Sequence, residues 1–375
     1  MDDTKMKILY CSTVRSHIGQ FHVPVINALK EAGQEVHAAY HDNSADKPGL
    51  DLSMLDKVFE VPFERSPYSP QNIKACKILK KIIDEGDYDI IHCHTPVGGV
   101  MTRIAAKDAR KRGTKVFYTA HGFHFYKGAP KKYWAMFFPV EKALAKETDV
   151  LITINQEDYD LASKHFKAGK IVKINGVGVD LSKFHVATAE EKQAAREALG
   201  IKPEQFVMLC AADLSVRKNQ PMIFRAMARI KNECPNMVAL LPGQPILKGE
   251  YEKLCAELGI SDMVQLMGYR RDIDKLLAAC DCVISSSRQE GLPMNLIEAA
   301  ASGRYIIATD VRGNADVVKQ SGFGALVKLN DDEAMAREIQ KAMAAQGTYD
   351  LNRVRLFDEK EIVKTIMALY RESVQ

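Results

Sequence analysis

The sequence predicts an α/β protein of two doubly wound parallel-sheet domains that face one another across a cleft. Its 375 residues exceed the usual size of a single hydrophobic core, so two domains are expected. Short apolar runs recur along the chain, and helix-like segments alternate with them. Buried parallel strands have this appearance, because both faces of their sheet are covered by helices. The series of runs breaks once, at a glycine-rich stretch, and then restarts, which indicates a second sheet.

The first series of apolar runs predicts the strands of an N-terminal domain at residues 1–180. These runs are MKILYCS (6–12), EVHAAY (35–40), DIIHCH (89–94), KVFYTAH (115–121), VLITIN (150–155) and KIVKING (170–176). Helices are predicted near residues 19–32 and 98–112. The glycine-rich stretch NGVGVDLSKF (175–184) has little periodicity and marks the junction between the domains.

The second series predicts the sheet of a C-terminal domain at residues 181–357. Its runs are VMLCAADL (207–214), MVALLPG (237–243), VQLMG (264–268), CVISSS (282–287) and YIIATD (305–310). The final stretch, residues 358–375, is helical, and it either packs back on the N-terminal domain or is an ordinary capping helix. Since ligands bind at the carboxyl ends of parallel strands, both sheets should direct those ends into the cleft.

The bulk composition excludes several classes of protein. Lys and Arg number 52 against 48 Asp and Glu, and this balance argues against a nucleic-acid binder. The eight cysteines show no Cys-x-x-Cys or zinc spacing, so they fit free thiols in a reducing cytosol. The charged start is unlike a signal peptide, and no apolar stretch reaches the roughly 18 residues of a membrane span. We expect a cytoplasmic protein, at most peripheral on the inner face of the cell membrane.

The stretch RQEGLPMNLIEAAASG (288–303) begins at the carboxyl end of a predicted strand. Pro293 suits the first turn of a helix, and Gly291 lets the backbone approach a ligand closely. The free amides near Met294 and Asn295, together with the helix dipole, predict an anion site that also includes Leu292.

Two glutamates, Glu290 and Glu298, lie on either side of this helix start. Carboxylates accept charge-assisted hydrogen bonds from pairs of hydroxyls. A nucleotide diphosphate sugar carries hydroxyls on its ribose and on its sugar, with two phosphates between them, so its layout fits this stretch. The alternative is that both glutamates are simply solvated and that Gly-Leu-Pro is an ordinary turn.

The stretch EGLPMNLIEAAASGRYIIATDVRGNADVV resembles the donor-site signature of the retaining glycosyltransferases of family 4, which have the GT-B fold of two Rossmann-like domains. Other stretches match in the expected order: HIGQFHVPVINALKEAGQEVHAA, DIIHCHTPVGGVMTRIAA, FYTAHGFHFYKG, INGVGVDLSKF, LSVRKNQ and VQLMGYRRDIDKLLAACDCVISSS. The similarity spans nearly the whole chain. It is closest to bacterial members that build exopolysaccharide, capsule or lipid-linked oligosaccharide.

The resemblance implies roles for the residues around the predicted donor site. Glu298 would hold the ribose, and Glu290 would contact the transferred sugar. The amides from Gly291 to Asn295 would face the diphosphate and sugar. Lys218 matches the lysine that neutralises the diphosphate, and the neighbouring Arg217 would assist it; the alternative is a solvated pair in a loop.

Further candidates follow from the same resemblance. His121 matches a histidine near the donor sugar and the reacting centre, although a lone histidine is often structural. Gly19 would let the first loop approach the diphosphate, or it is an ordinary glycine at a helix start. Tyr269 and Arg270 would lie where the base binds.

The chain departs from the family pattern at Ala212-Asp213, where relatives usually carry Gly-Arg. An anion beside a diphosphate is unfavourable by Coulomb's law unless it is turned away or paired. Either Arg217 supplies the missing cation, or Asp213 pairs with Arg217. Weakened donor binding or loss of activity would follow if neither holds.

The expected reaction transfers a hexose or N-acetylhexosamine from a nucleotide diphosphate sugar, with UDP expected from the resemblance, to a glycan or polyprenol-linked acceptor. Retention would proceed by front-face attack. No metal is expected, since no Asp-x-Asp metal motif stands at a strand end, and no cofactor is expected beyond the donor substrate. The alternatives are a sugar-nucleotide epimerase of the same fold and a non-catalytic sugar-nucleotide-binding protein.

The segment 123–147, FHFYKGAPKKYWAMFFPVEKALAKE, interleaves basic and aromatic side chains. Such a segment fits the surface of an anionic bilayer, where a polyprenol-linked acceptor would reside. The alternative is a core helix with solvated lysines.

Overall fold

A computed structural model describes residues 5–45, 47, 49–247, 249–344 and 349–374. The chain divides into two compact units. The first unit runs to Val177 and takes in the chain again from Glu359 onward, while the second spans Gly178–Asp358. The division therefore falls within the glycine-rich stretch at which the series of apolar runs breaks.

The first unit is built on a seven-stranded sheet in which every pairing is parallel. Its strands are β1 (Lys7–Val14), β2 (Glu35–His41), β3 (Lys57–Glu60), β4 (Ile90–His94), β5 (Lys115–Ala120), β6 (Val150–Thr153) and β7 (Lys170–Lys173). Their order across the sheet is β3-β2-β1-β4-β5-β6-β7. The central strand β4 is buried over its whole length, as its continuous apolar pattern predicts.

Helices connect these strands and cover the sheet. They are α1 (Arg15–Phe21), α2 (Val23–Glu31), α3 (Gln71–Gly86), α4 (Pro96–Ala105), α5 (Lys107–Lys111), α6 (Lys131–Leu144) and α7 (Gln156–His165). The helix predicted near 19–32 is two helices, since the chain breaks at His22 (φ −120°, ψ −3°) and restarts with Pro24 in the first turn of α2.

The second unit has a six-stranded sheet, also parallel throughout. Its strands are β8 (Phe206–Leu209), β9 (Met237–Pro242), β10 (Val264–Gly268), β11 (Cys282–Ser285), β12 (Tyr305–Thr309) and β13 (Gly324–Val327), in the order β10-β9-β8-β11-β12-β13. Its helices are α8 (Ala189–Ala198), α9 (Pro221–Ile230), α10 (Glu250–Leu258), α11 (Ile273–Ala279), α12 (Met294–Ala301), α13 (Asn314–Ser321), α14 (Asp332–Ala344) and α15 (Leu351–Val354).

The final helix, α16 (Glu359–Val374), belongs to the first unit. It buries Ile362 and Ile366, and its Tyr370 hydroxyl lies 2.9 Å from the hydroxyl of Tyr10 on β1. The chain therefore returns to its first unit after completing the second. None of the helices in the described ranges has both the length and the apolar character that a membrane crossing requires.

Each sheet has one point at which the strand order reverses. In the first sheet it lies between β1 and β4, and in the second between β8 and β11. Loops diverge to opposite faces of the sheet there, which opens a crevice at the carboxyl ends of the strands. These two crevices are where the chemically active side chains should be sought.

Candidate active site

The loops that follow β8 and β11 meet at the strand-order reversal of the second sheet. Lys218 Nζ lies 2.6 Å from Glu290 Oε1, and Arg217 Nη1 lies 3.2 Å from both oxygens of that carboxylate. The side chains of Lys218 and Glu290 are only 13% and 9% exposed, whereas that of Arg217 is 53% exposed. The structure thus joins three predicted site residues in one largely buried ion-pair network.

The charge state of Glu290 follows from this network. Burial alone would raise the pKa of the Glu290 carboxyl, but the positive charges of Lys218 and Arg217 outweigh it and hold the pKa below its ordinary value. The carboxylate is therefore ionised at neutral pH, and the network carries a net positive charge.

The two loops are fixed to each other by hydrogen bonds that involve Asn219, a residue in the left-handed region (φ 56°). Its side-chain amide donates to the carbonyl of Ser286 at 3.2 Å and accepts from Arg288 Nη2 at 2.8 Å. The Ser286 hydroxyl donates in turn to the carbonyl of Lys218 at 2.9 Å. These bonds hold the cation of Lys218 in place rather than leaving it on a free loop.

The start of α12 lies directly after Glu290. Pro293 is the N-cap of the helix and not a first-turn residue as predicted. Its backbone is extended (φ −77°, ψ 118°), and the helical turn begins at the next residue, Met294. The amides of Leu296 and Ile297 are the first that donate to the carbonyl of Pro293, so those of Met294 and Asn295 precede the first helical bonds. Their N–H groups are oriented along the helix axis, as an anion site requires.

Gly291 and Leu292 form the turn that enters this helix, and a second loop packs against them. Gly313, in the left-handed region (φ 82°), comes so close that a Cβ there would lie 2.4 Å from the carbonyl oxygen of Gly291. The adjoining Arg312 is buried, and its Nε donates to the carbonyl of Glu290 at 3.1 Å. Sequence reasoning missed the contribution of Arg312 and Gly313, although both belong to the signature stretch; the signal was a Val-Arg-Gly-Asn turn at the end of β12.

Glu298 lies in the middle of α12 and is partly buried. Burial raises the pKa of its carboxyl to about 7, against a smaller opposing effect of the positive charge on Lys183. At neutral pH the group exchanges between a form that only accepts hydrogen bonds and one that also donates.

Tyr269 and Arg270 follow β10, the edge strand of this sheet. Tyr269 is 57% exposed. The guanidinium of Arg270 makes two bonds to the Asp272 carboxylate, of 2.8 and 2.6 Å, which fixes its plane.

Asp213 does not pair with Arg217, which was one of the two alternatives for this departure from the family pattern. Its carboxylate accepts a hydrogen bond of 3.2 Å from the amide of Gln244. Arg217 instead contacts Glu290 and the carbonyl of Gln289. The loop carrying Gln244 comes this close because Gly243 has no Cβ; one would lie 1.9 Å from the carbonyl oxygen of Ala212.

The remaining predicted residues lie in the first unit. Gly19 is inside α1 and not in a loop, and a Cβ there would lie 3.0 Å from Leu50, so close packing explains the glycine. His121 follows β5, and its Nε2 lies 3.4 Å from Nδ1 of His94 at the end of β4. Around them the structure gathers His17 and His22, which sequence reasoning did not single out.

A cavity of about 590 Å³ opens beside this histidine group, within the first unit. Its wall is mainly apolar and includes Val97, Val100, Met101, Met136, Phe137 and Val140. Polar groups converge at one side, where the hydroxyls of Thr13 and Thr95 lie 2.7 Å apart. Thr95 has φ 66° and ψ 153°, a conformation that costs a non-glycine residue about 1–3 kcal/mol and clusters at functional sites.

Comparison with known proteins identifies two matching families. The family described as "Glycosyltransferase Family 4" matches residues 24–183, and the family described as "Glycosyl transferases group 1" matches residues 191–354. The structure is similar to HepE from Anabaena in complex with UDP, with a TM-score of 0.79, 21% identity, and coverage of 98% of this chain and 100% of that one. That likeness shows the fold, which is GT-B.

Two similar proteins are bacterial. EpsD of Bacillus subtilis (strain 168), provisionally named a glycosyltransferase, is 41% identical over 89% of this chain and 87% of its own. An Escherichia coli protein is 31% identical over 70% of this chain and 68% of its own. Its name is UDP-Gal:alpha-D-GlcNAc-diphosphoundecaprenol alpha-1,3-galactosyltransferase.

Proposed function

The chain belongs to the family 4 glycosyltransferases, and we propose that it transfers a hexose or N-acetylhexosamine from a UDP-sugar, with retention, to a polyprenyl-diphosphate-linked glycan. The observation that carries this proposal is the Lys218–Glu290–Arg217 network at the start of α12. The E. coli relative, whose name contains a UDP-sugar and a diphosphoundecaprenol-linked sugar, supports the choice of donor and acceptor.

The donor diphosphate would lie against Lys218 and the first amides of α12. The Lys218 side chain is only 13% exposed, so its charge is weakly screened by water and would act strongly on a nearby phosphate. Arg217 is more exposed and adds a second cation, in place of the arginine that Asp213 replaces. Fixed donors of this kind stabilise charge that develops on a leaving group, without reorganising during the reaction.

The two carboxylates would hold the hydroxyls on either side of the diphosphate. Glu290 is ionised and would accept hydrogen bonds from the transferred sugar. Glu298, with a pKa of about 7, would accept from one ribose hydroxyl and, when protonated, donate to another. Tyr269 presents an exposed ring on which a base can stack, beside the fixed guanidinium of Arg270.

The transfer step breaks the bond between the anomeric carbon and the β-phosphate oxygen. The electron pair leaves with UDP, where Lys218, Arg217 and the start of α12 stabilise it. The acceptor oxygen attacks the same face of the sugar, and its proton passes to the departing phosphate oxygen, so no protein nucleophile is required. No metal bridges the diphosphate in this scheme, because the cations are side chains.

The acceptor would bind in the first unit, in the cavity of about 590 Å³. Its apolar wall suits the first isoprene units of a polyprenol, and its polar side, at Thr13 and Thr95, suits the hydroxyls of a sugar. Helix α6 contributes Met136, Phe137 and Val140 to this wall.

A transfer assay with a panel of radiolabelled UDP-sugars and a synthetic polyprenyl-diphosphate N-acetylglucosamine tests the proposal. We expect label in the organic phase without added magnesium or manganese. The product should keep the anomeric configuration of the donor sugar. Lys218→Ala should lower kcat by about 100-fold or more. Lys253→Ala, which alters an exposed lysine of the same unit, is the control. Activity of Lys218→Ala equal to wild type would refute the donor-site assignment.

The same assay without acceptor separates the competing functions. A sugar-nucleotide epimerase would convert the donor sugar, and a non-catalytic binding protein would leave it intact even when acceptor is added. Asp213, whose charge suggested loss of activity, bonds to the Gln244 amide, so its negative charge is partly offset.

We propose further that exposed lysines of α6 attract the protein to an anionic bilayer. Reversing Lys131 and Lys132 to glutamate should weaken binding to anionic liposomes in a sedimentation assay by at least about 30-fold, because each lysine near such a surface contributes about 1 kcal/mol and the new glutamates are repelled as well. The control reverses Lys77 and Lys81 on α3, which are exposed on the same unit. Equal, salt-insensitive binding by both variants would contradict the proposal.

A further inference from the structure

Four histidines converge at the strand-order reversal of the first sheet, although 104 positions separate the first from the last. His17 and His22 follow β1, His94 ends β4, and His121 follows β5. One ring nitrogen from each lies within 4.8 Å of those from the other three. We call these four residues the histidine cluster.

Three members of the cluster have a buried ring nitrogen that bonds to nothing. These atoms are Nε2 of His17, His22 and His94. A buried polar atom without a partner is costly and needs an explanation. The neighbouring His92 shows the contrast: its ring bonds to the hydroxyls of Thr119 and Tyr370 and needs no further partner.

The cluster also has the protonation state in which histidine binds metals. Burial lowers the pKa of all four imidazoles, to about 4 for His121 and well below the ordinary value for the other three. Each ring is therefore neutral at pH 7 and keeps one nitrogen lone pair free for coordination.

We propose that the histidine cluster binds one divalent transition metal ion of the zinc class. A tetrahedral ion with nitrogen ligands at 2.0–2.1 Å separates those nitrogens by about 3.4 Å. The pair His94 Nδ1 and His121 Nε2 already lies 3.4 Å apart. With His94 Nδ1 as the ligand, the ion would account for the unbonded Nε2 atoms of His17 and His22, and not for that of His94. The widest separation, 4.8 Å, would have to shorten by about 1.4 Å as the side chains rotate onto the ion. Imidazole ligands suit zinc, cobalt, nickel and copper and not the hard ions magnesium and calcium.

Such an ion would join the helices α1 and α2 to the carboxyl ends of β4 and β5. It would stabilise the crevice of the first unit, beside the cavity that His17 also lines. The inference does not depend on the donor site of the second unit. It shares His121 with the residues that the family resemblance implies and His17 with the wall of the proposed acceptor cavity, so metal content and stability are measured and sugar transfer is not.

A water molecule is the competing partner for part of the cluster. A cavity of about 20 Å³, enough for one water, borders His22 and His94 but neither His17 nor His121. Water would satisfy nitrogens without any response to metal. Binding that depends on His17 and His121 therefore distinguishes the two occupants.

The test uses the full chain without a polyhistidine tag, stripped with chelator and titrated with Zn²⁺ and Co²⁺. We expect one equivalent to bind, with the visible bands of tetrahedral Co²⁺ and no thiolate charge-transfer band. Zn²⁺ should raise the unfolding midpoint by about 5 °C. His17→Gln/His121→Gln, which changes the two partly exposed members, should weaken binding at least about 100-fold.

The matched control is His185→Gln/His165→Gln, which removes two histidines outside the cluster and should bind like wild type. Circular dichroism of the stripped proteins establishes that each variant folds. If the cluster variant is unfolded, the wild-type Co²⁺ spectrum decides: octahedral bands or no stoichiometric binding overturn the proposal. Equal binding by the cluster variant and the control overturns it as well.

Discussion

Replacing Lys218 by methionine should lower both stability and activity, for two separable reasons. The substitution keeps most of the apolar stem and removes the charge 2.6 Å from Glu290. The Glu290 side chain, 9% exposed, would then be a buried carboxylate with only the half-exposed Arg217 beside it.

The expected magnitude follows from that geometry. Removing one partner of a buried ion pair costs about 3–5 kcal/mol. Arg217 keeps its contacts of 3.2 Å with Glu290, so we expect a cost below that range, about 2–3 kcal/mol. For a unit of this size, the unfolding midpoint should fall by roughly 4–12 °C.

A second substitution separates the two effects. Glu290→Gln, added to Lys218→Met, removes the stranded charge and should recover at least about 1 kcal/mol of unfolding free energy. It cannot restore the cation that we propose faces the leaving diphosphate, so kcat should stay at least about 100-fold below wild type.

The measurement is urea unfolding of wild type, the two single variants and the double variant, with transfer assayed on the same preparations. Lys253→Met, at an exposed lysine, is the control and should change neither quantity. Two results would refute the reasoning: additive destabilisation in the double variant, or recovery of transfer together with stability.

Three further predictions concern single features of the structure. The raised pKa of Glu298, about 7, means that the native state binds this proton more tightly than the unfolded chain, so stability falls as pH rises from about 4.5 to 7. Glu298→Gln should therefore gain about 1–3 kcal/mol at pH 8 and nothing at pH 4, and equal gains in urea unfolding at both would contradict this. Arg103, 1% exposed, pairs with Glu141 at 2.8 Å, so Arg103→Met should lower the free energy of unfolding, measured with urea, by about 3–5 kcal/mol. Adding Glu141→Leu should restore much of that loss. Gly313→Ala should destabilise more than Gly200→Ala, which costs about 1–2 kcal/mol: both glycines have positive φ, but only at Gly313 would the Cβ meet a backbone oxygen. Equal melting points for the two variants would contradict this, since they would show that the backbone around Gly313 and Gly291 moves to make room for the Cβ.

Most strands that could be predicted from sequence are buried, although the partly exposed edge strands β7 and β10 were predicted as well. A run such as DIIHCH is continuous because β4 has no solvent face. The missed strands, β3 (KVFE) and β13 (GALV), are four residues long and lie at the edges of their sheets. KVFE has only two apolar residues, and GALV is an apolar run of four with a glycine, so neither stretch stands out as a strand in the sequence.

The local structure of the candidate donor site was predictable where its residues are close along the chain. The loop from Gly291 to Asn295 leads into a helix, as the sequence predicts, and the helix starts at Met294, one residue later than expected. The contact of Lys218 with Glu290 joins residues 72 positions apart, and only the pairing of β8 with β11 brings their loops together. The histidine cluster was missed for the same reason, because its four members follow three different strands and lie far apart along the chain.

Both groups of active side chains occupy equivalent places in their sheets, and the topology explains why. At a strand-order reversal the connecting helices leave on opposite faces, so the loops beside it spread apart and expose backbone and side chains. In the second sheet these loops hold cations and helix amides, which suit a diphosphate. In the first they hold neutral imidazoles and the Thr13–Thr95 hydroxyl pair beside an apolar cavity. The same arrangement of parallel strands thus carries loops of different chemistry, which is why we propose a diphosphate at one crevice and a metal ion and an apolar acceptor at the other.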